Sequence, residues 1–180
     1  MIEQDAVISD CGLYRYTLLR RWSDAPLLGA FWLNPSTADA ARDDASLRRG
    51  MSFARRAGYG GLLLGNLAAY RAKKFQDLLD SHVAGIDVIG PENYKWLVHI
   101  AKTTGHVFCG WGSNAKHPII AEQAIKVIRL LRRLNVKTYH LGLTLHGYPK
   151  HPLYLSADAP FTEWAQTDDA KLHEEENSNG

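Results

Sequence analysis

Asn34 is the first residue of this sequence whose type and position suit chemistry. It precedes a proline in the run LNPST, and the fixed φ of Pro35 forces Asn34 into extended geometry, so that its amide projects from the end of a strand. Such an amide can hold a water molecule with its carbonyl oxygen while its NH₂ group contacts a ligand. Ser36, Thr37 and nearby N–H groups can bind a phosphate or the edge of a base. An ordinary turn followed by a helix cap fits the same residues.

Asn66 ends a second apolar run and is followed by LAAYRA. Its amide can recognise the edge of a base through two hydrogen bonds, and Tyr70 and Arg71 can stack on a base or hold a phosphate. A strand-terminal turn with Tyr70 packed at its rim explains these residues equally well.

The run CGWGSNAK places two glycines around a tryptophan. Gly110 and Gly112 let the backbone beside Trp111 approach a ligand closely. A tight turn between a strand and a helix, covered by a buried Trp111, has the same composition.

His151 lies between Lys150 and Pro152 in a loop stiffened by prolines. A ring held there can donate a hydrogen bond to a developing anion, although a surface histidine is the plain alternative. His140, His146 and His151 lack the i,i+4 spacing of helical zinc ligands, so we expect neither a metal nor another cofactor.

The elements that must position these residues follow from the apolar pattern. Residues 6–22 alternate around an Asp10-Cys11-Gly12 turn and predict an N-terminal β-hairpin. Apolar runs predict buried strands, and periodic segments between them predict helices. The strands are expected at 27–33, 62–67, 106–110 and 137–141, and the helices at 43–57, near 75–79, after Pro91 and at 118–134.

Strands that alternate with helices predict an α/β fold, a three-layer sandwich with a mainly parallel central sheet. Ligands bind beyond the carboxyl ends of the strands in such sheets, so we expect the four polar turns to converge on one crevice. One α/β domain over residues 1–157 accounts for the pattern. Residues 158–180 are interpreted as an acidic tail, a frayed helix followed by a partly disordered end.

Charge is distributed unevenly along the chain. The formal net charge is +2, yet residues 158–180 hold seven acidic residues and one basic residue, −6 in all, which leaves +8 for residues 1–157. A basic body fits a polyanionic partner, and a solubilising tail is the simpler account. The candidate nucleic-acid-binding residues are Arg48, Arg49, Lys116, Lys150 and Tyr154. The candidates for a phosphate-binding face are Lys116, Arg129, Arg132, Arg133 and Lys150.

Arg48 and Arg49 also allow a plainer interpretation. They follow Asp43 and Asp44 by about one helical turn, so helix capping and i,i+4 ion pairs explain them without a ligand.

No apolar run reaches the ~20 residues that span a bilayer. The first ten residues lack a signal-peptide core. Two cysteines cannot alone hold an iron–sulfur cluster or a Cys-type zinc site, and they suggest a reducing compartment. We therefore expect a cytoplasmic protein without membrane contact. The oligomeric state is left open, with a monomer as the default.

The turns, taken in order, resemble the DUF1643 family over most of residues 22–156, through LNPSTADAARDDASLRR, FARRAGYGG, NLAAYRA, GWG and GYPKHPLYL. More remotely, their order is similar to that of the uracil-DNA glycosylase superfamily. This second resemblance implies the glycosylase fold, with Asn34 positioning an attacking water, Asn66 recognising the base and His151 donating to the leaving base. The GWG turn and the HP pair match in place, whereas Leu153 stands where a serine is common.

The implied function is a hydrolase that binds a flipped nucleobase in DNA, modified or deaminated, and cleaves its N-glycosidic bond with a positioned water. Asp39 is close enough in sequence to Asn34 to be a second water ligand. Two alternatives stay open: a module that binds nucleic acid or modified bases without catalysis, and an enzyme that acts on free nucleotides in base modification.

Overall fold

The computed structural model describes residues 2–36 and 43–164. Thr37, Asp39 and residues 165–180 of the predicted tail lie outside these ranges. No helix within them is long and apolar enough to cross a bilayer. In chain order the elements are β1 (Glu3–Ile8), β2 (Arg15–Arg21), β3 (Leu27–Trp32), α1 (Ala45–Arg56), β4 (Gly61–Asn66), α2 (Phe75–Val83), α3 (Asn93–Thr104), β5 (His106–Cys109), α4 (Pro118–Arg133), β6 (Lys137–His140) and β7 (Thr162–Glu163).

The described strands form one seven-stranded sheet in the order β1-β2-β4-β3-β5-β6-β7. The α/β class and the N-terminal hairpin of β1 and β2 are confirmed. The sheet is mixed, however, and the expectation of a mainly parallel sheet is wrong. Three pairings are parallel, joining β4, β3, β5 and β6, and three are antiparallel, β1–β2, β2–β4 and β6–β7.

The order of the parallel strands reverses at β3. From β3 the chain passes to β4 on one side and then crosses back to β5 and β6 on the other. Leu47 and Phe53 of α1 pack on one face of the sheet, and Leu97 of α3 and Val127 of α4 pack on the opposite face. The chain segments leaving β3 and β5 therefore diverge, which opens a crevice at the carboxyl edge of the sheet.

The structure explains why apolar and polar residues do not alternate in the sequence of β3. Leu28, Ala30 and Trp32 belong to the apolar cluster on the α1 side, whereas Phe31 belongs to the cluster under α3 and α4. Both faces of the strand are covered, so apolar residues are favoured at every position.

The start of α1 is held by a side-chain cap. Asp44 accepts a hydrogen bond from the Leu47 N–H at 2.7 Å, as an N-cap residue does, so the predicted cap is confirmed. Asp43 forms its ion pair with the fully buried Arg20 of β2, at 2.8 Å. The Arg48 guanidinium instead donates to the Asp43 main-chain oxygen at 2.7 Å, so the predicted i,i+4 ion pairing is wrong for this arginine.

The segment after Asp158 differs from the predicted frayed helix. Its residues Thr162–Glu163 form β7 beside β6, and the Trp164 N–H donates to the Thr138 oxygen at 2.7 Å. A strand of two residues has no periodicity, so the sequence pattern carries no signal for it.

Candidate functional site

The four polar turns meet at the carboxyl edge of the parallel strands and line a crevice of about 710 Å³. Asn34 contributes from the end of β3, Lys73 from the segment after β4, Trp111 from the end of β5 and His151 from the loop after β6. The crevice lies beside β3, where the strand order reverses, and this is where open α/β sheets bind ligands.

A smaller cavity of about 40 Å³ adjoins the crevice and shares Asn34, Ser36, Ser46 and His151 with it. Asn66, at the end of β4, also lines this cavity. The structure therefore brings the two predicted asparagines and the predicted histidine around one space. That space suits one or two water molecules or a substituent of a base, but not a whole base.

The Asn34 amide is held by main-chain oxygens. Its Nδ2 donates to the Ala72 oxygen at 2.9 Å and to the Pro35 oxygen at 3.0 Å. Both N–H donors are thereby used, so the expected contact between this NH₂ group and a ligand is wrong, and the carbonyl oxygen is the atom that can accept from a water. Pro35 itself is buried and does not line the crevice; its oxygen also accepts from the Ala72 N–H at 3.0 Å.

His151 presents a neutral ring with a defined tautomer. Its Nδ1 accepts from the Leu153 N–H at 3.4 Å, so the proton of the neutral ring lies on Nε2. Burial lowers the pKa of His151 to about 4, and the Asp44 carboxylate opposes part of that effect. The ring packs edge to face against Trp32, with centroids 5.6 Å apart. At neutral pH the Nε2–H group is a hydrogen-bond donor without charge.

Asn66 carries a buried side-chain amide at the end of β4. It is 1% exposed, and neither its Oδ1 nor its Nδ2 has a hydrogen-bond partner within the described part of the chain. An orphaned buried polar group costs about 1–3 kcal/mol, so such groups usually meet a ligand or a bound water.

Asp44 is a site residue that the sequence pattern identified only as a helix cap. Besides capping α1, its carboxylate accepts from the Ser36 hydroxyl through Oδ2 and lines the small cavity. Among the described residues it is the one carboxylate that lines either space. A carboxylate beside a water site can accept the proton that the water gives up.

Arg15 also lines the small cavity and is 3% exposed. Its position follows from an irregularity in the hairpin, where Val7 is opposite Thr17 and Ile8 is opposite Arg15, so that Tyr16 has no opposite residue. A bulge of this kind inverts the alternation of side chains and redirects one of them. The sequence pattern could not reveal Arg15, because the bulge leaves no periodic signal.

The glycines of the GWG turn make room for the His151 loop and need no ligand to explain them. A Cβ on Gly110 would lie 3.1 Å from Pro152 Cδ, a buried residue that does not line the crevice. Gly112 has φ +74°, and its N–H donates to the Pro149 oxygen at 2.8 Å. Gly110 and Pro152 therefore position the histidine, and Gly112 also lines the crevice.

Tyr70 and Arg71 do not line the crevice. They line a neighbouring groove of about 410 Å³, and Arg71 donates to the Gly12 oxygen of the hairpin turn at 3.2 Å. Tyr70 packs edge to face on Tyr14, with centroids 6.2 Å apart. The prediction that Tyr70 and Arg71 line the same crevice as Asn34 is therefore wrong. The chain turns away from the crevice between Asn66 and Ala72.

The crevice is aromatic and positively charged. Lys73 and Lys150 are the charged residues that line it within the described ranges. Phe75, Trp111 and Tyr154 add aromatic rings, of which Trp111 is 1% exposed and Tyr154 84% exposed. Cations and aromatic rings together suit a ligand that carries both a phosphate and a base.

The remaining predicted nucleic-acid contacts lie elsewhere. Lys116 is exposed on the 3-10 turn Ser113–Lys116 and Arg48 is exposed on α1, but neither lines the crevice. Arg49 donates to the Leu155 oxygen and lies over Phe53, 5.2 Å from the ring centroid, so it holds the chain after the His151 loop.

Arg129, Arg132 and Arg133 belong to the second half of α4. A helix that connects two parallel strands runs back toward their amino ends, so its last turns lie at the sheet edge opposite to the crevice. Arg133 there donates to the Tyr94 hydroxyl at 2.9 Å. The sequence-based proposal that these arginines share a phosphate-binding face with Lys150 is therefore wrong.

Within the described ranges, no arrangement of residues supports metal-dependent or thiol chemistry. No group of three or more His, Cys, Asp or Glu side chains there could hold a metal ion. Cys109 is fully buried, which raises the pKa of its thiol, and Cys11 is exposed on the hairpin turn. The chemistry available in the crevice and the small cavity is that of amides, hydroxyls, a carboxylate, an imidazole and the cationic groups of Arg15, Lys73 and Lys150.

The fold is that of an α/β protein with a crevice at the carboxyl ends of its parallel strands. A family model described as "Protein of unknown function (DUF1643)" matches residues 15–153, so the chain belongs to the DUF1643 family. The match includes Arg15, Asn34, Asp44, Asn66 and His151. No curated protein and no solved structure matches the chain.

Proposed function

We propose that the crevice binds a nucleobase, in DNA or in a nucleotide, and that the protein hydrolyses its N-glycosidic bond with a positioned water. The observation that carries the proposal is the joint placement of Asn34, Asn66 and His151 around one small cavity. The order of the turns, which resembles that of the uracil-DNA glycosylases, supports a fold of that kind. The aromatic and cationic lining of the crevice supports a nucleotide as the ligand.

The water is assigned to Asn34 and Asp44. The Asn34 carbonyl oxygen accepts from it, because the Asn34 NH₂ group already donates to two main-chain oxygens. The water oxygen forms a bond to the anomeric carbon as the carbon–nitrogen bond breaks, and a proton of the water passes to Asp44. The base leaves with the bonding electron pair and is then protonated by solvent.

His151 stabilises the leaving base. The base becomes anionic as the glycosidic bond breaks, and a preorganised donor aimed at that charge lowers the barrier. The Nε2–H of the neutral ring is such a donor, since Nδ1 accepts from Leu153 and burial keeps the pKa of His151 near 4. A neutral donor does not have to be deprotonated again before the next turnover.

The base lies in the crevice and only one of its edges reaches inward. Phe75 and Tyr154 line the crevice and are the rings assigned to stacking on the base. Asn66 offers one donor and one acceptor at the inner end, without partners of its own within the described residues. An edge that presents an acceptor next to a donor is complementary to this amide.

The test is base release measured by chromatography on single- and double-stranded oligonucleotides and on free nucleotides, with uracil and other deaminated or modified bases. We expect release from at least one substrate, and a decrease of roughly a hundredfold or more for Asn34→Ala and for His151→Asn. Lys102→Ala, on the last turn of α3, is the matched control and should act like the wild type. Tight binding without release across the panel would overturn the hydrolysis and leave a binding module.

A further inference from the structure

We propose that the groove beside the crevice is a second nucleotide subsite, and that Lys73 binds the phosphate joining the nucleotides in the two spaces. We call this space the hairpin groove; it is lined by Gly12, Leu13, Tyr70, Arg71, Asp77 and Ser81 in addition to three residues shared with the crevice. The inference rests on the proposed function for the chemical class of the ligand. It deepens that function by assigning the site to a nucleic-acid strand instead of a free nucleotide.

The hairpin groove is continuous with the crevice. Ser36, Ala72 and Lys73 line both spaces, so a ligand that leaves the crevice past these residues enters the groove. Lys73 is exposed and stands at this junction. An ammonium group that can reach into two adjoining base-sized spaces is placed for the phosphate between two nucleotides.

The charges of the hairpin groove favour an anion. Arg71, Lys73 and Asp77 are the charged residues that line it within the described ranges. The Asp77 carboxylate is already engaged, because its Oδ2 accepts from the Lys74 N–H at 3.1 Å at the start of α2. Arg71 is held over the hairpin turn by its 3.2 Å bond to the Gly12 oxygen. The net charge of the residues that line the groove is positive, which favours binding of a phosphodiester.

The groove also has room and surface for a base. Its volume of about 410 Å³ falls within the range of small-ligand sites, roughly 300–1,000 Å³. Tyr70 is half-buried there and its ring is fixed by the edge-to-face contact with Tyr14. Leu13 is 42% exposed beside it. A fixed aromatic ring next to an exposed apolar side chain is a surface on which a base of any identity can stack.

A free nucleotide would leave the groove unused. The crevice alone, at about 710 Å³, holds a complete nucleotide, and Lys150 on the far loop can neutralise a terminal phosphate. The hairpin groove has its own cation and its own aromatic ring. A second nucleotide, joined to the first in a nucleic-acid strand, explains both. The contacts on this side are to the backbone and to a stacking face, so they add affinity without selecting the neighbouring base.

The experiment measures binding of mononucleotides and of dinucleotides that contain the same base, by calorimetry over a range of salt concentrations. We expect the deoxydinucleotide to bind roughly tenfold more tightly than the mononucleotide, through one phosphate and one stacked base. Lys73→Ala should remove most of this gain and lower the slope of log K against log salt by about 0.7, the value for one phosphate of a single strand. Lys102→Ala, far from both spaces, should change neither quantity.

The outcomes separate the subsite from the hydrolysis. Equal affinity for mono- and dinucleotides, with no change of salt slope in Lys73→Ala, would overturn the subsite even if base release is observed. A dinucleotide gain that depends on Lys73, found together with no base release, would support the subsite and overturn the hydrolysis. Ribodinucleotides measured in parallel identify the sugar, and a Lys73-dependent gain with either sugar supports the subsite.

Discussion

The side-chain Nδ2 of Asn93 in α3 donates a hydrogen bond to the main-chain oxygen of Asn66 at 3.0 Å. Asn93 thereby fixes the end of β4, where Asn66 lies. The same Nδ2 donates to the Leu67 oxygen at 2.9 Å. Asn93 is 0% exposed and Asn66 1% exposed, yet the Asn66 amide has no partner within the described ranges. One of these amides supports the fold, and the other is held in place with its hydrogen-bonding capacity unused.

Replacement of Asn66 by leucine is expected to stabilise the fold and abolish ligand binding. The substitution removes a buried amide that has no partner within the described residues and keeps the branched shape and the number of side-chain heavy atoms, so the free energy of unfolding should rise by about 1 kcal/mol. Asn93→Leu is the matched control: it breaks two buried hydrogen bonds and should lower the free energy of unfolding by about 2 kcal/mol or more. Urea denaturation measures both. A loss of stability in Asn66→Leu equal to that in Asn93→Leu would contradict the assignment of Asn66 to a ligand.

Replacement of Asp44 by asparagine is expected to abolish base release while leaving the fold intact. Asparagine caps helices as well as aspartate does, so the free energy of unfolding should change by less than about 1 kcal/mol. The proton acceptor beside the water, however, is lost. Asp43→Asn is the contrasting variant, because it removes the negative charge from the 2.8 Å ion pair with the buried Arg20 and should cost at least about 2 kcal/mol. Release by Asp44→Asn at the wild-type rate would show that this carboxylate is only a cap.

Acid is expected to destabilise the protein through His151. The folded-state pKa of His151 is lowered to about 4, whereas a histidine in the unfolded chain titrates near 6.5. Between these values the unfolded state binds more protons, so the free energy of unfolding falls as the pH is lowered from about 6.5 to about 4, by roughly 1–3 kcal/mol. Above about pH 6.5 the ring is neutral in both the folded and the unfolded state, so this loss of stability is absent.

The measurement is thermal or urea unfolding at several pH values between 4 and 7, with His151→Asn as the comparison. This variant should lose less stability over the interval than the wild type. Burial also lowers the pKa of His140, so a His140→Asn variant isolates that second histidine. Identical pH dependence in the wild type and in His151→Asn would contradict a buried neutral ring.

Asn34 provides a test of amide orientation. Asn34→Asp would place a carboxylate oxygen against the oxygens of Ala72 and Pro35, which now accept from Nδ2 at 2.9 and 3.0 Å. We expect Asn34→Asp to be less stable than Asn34→Ala by about 1–3 kcal/mol, and both to lack base release. Differential scanning calorimetry provides the comparison. If Asn34→Asp is as stable as the wild type, the NH₂ group does not face these oxygens.

Much of the fold was predictable because its signals are local. The unalternating run of β3 follows from burial on both faces, and the cap at Asp44 follows from the chemistry of a helix start. The convergence of four turns was predictable as well, since the carboxyl ends of parallel strands share one edge. The antiparallel junction of the hairpin with β4 and the added strand β7 were not, because a strand's periodicity carries no information about the direction of its neighbour.

The site was predictable only where its residues stand in turns. Asn34 and His151 are flanked by prolines, which mark them in the sequence, and Asn66 ends an apolar run. Arg15 reaches the small cavity through a bulge, and Lys73 reaches the crevice because the chain after β4 turns back toward β3. Both placements depend on contacts between distant segments, and no pattern within one segment encodes them.

The residues that line the crevice come from segments far apart in the sequence, the first being Leu33 and the last Leu155. During synthesis the strands and helices nearest the amino end emerge first, but the pocket cannot exist until the loop with His151 has left the ribosome and docked between Gly110 and Trp32. Ligand binding in the crevice therefore requires a chain that extends through Leu155, and a chain interrupted before His151 would keep most of its sheet and is expected to bind no ligand there. A bound ligand would raise the melting temperature of the entire domain, since no smaller folding unit contains the pocket.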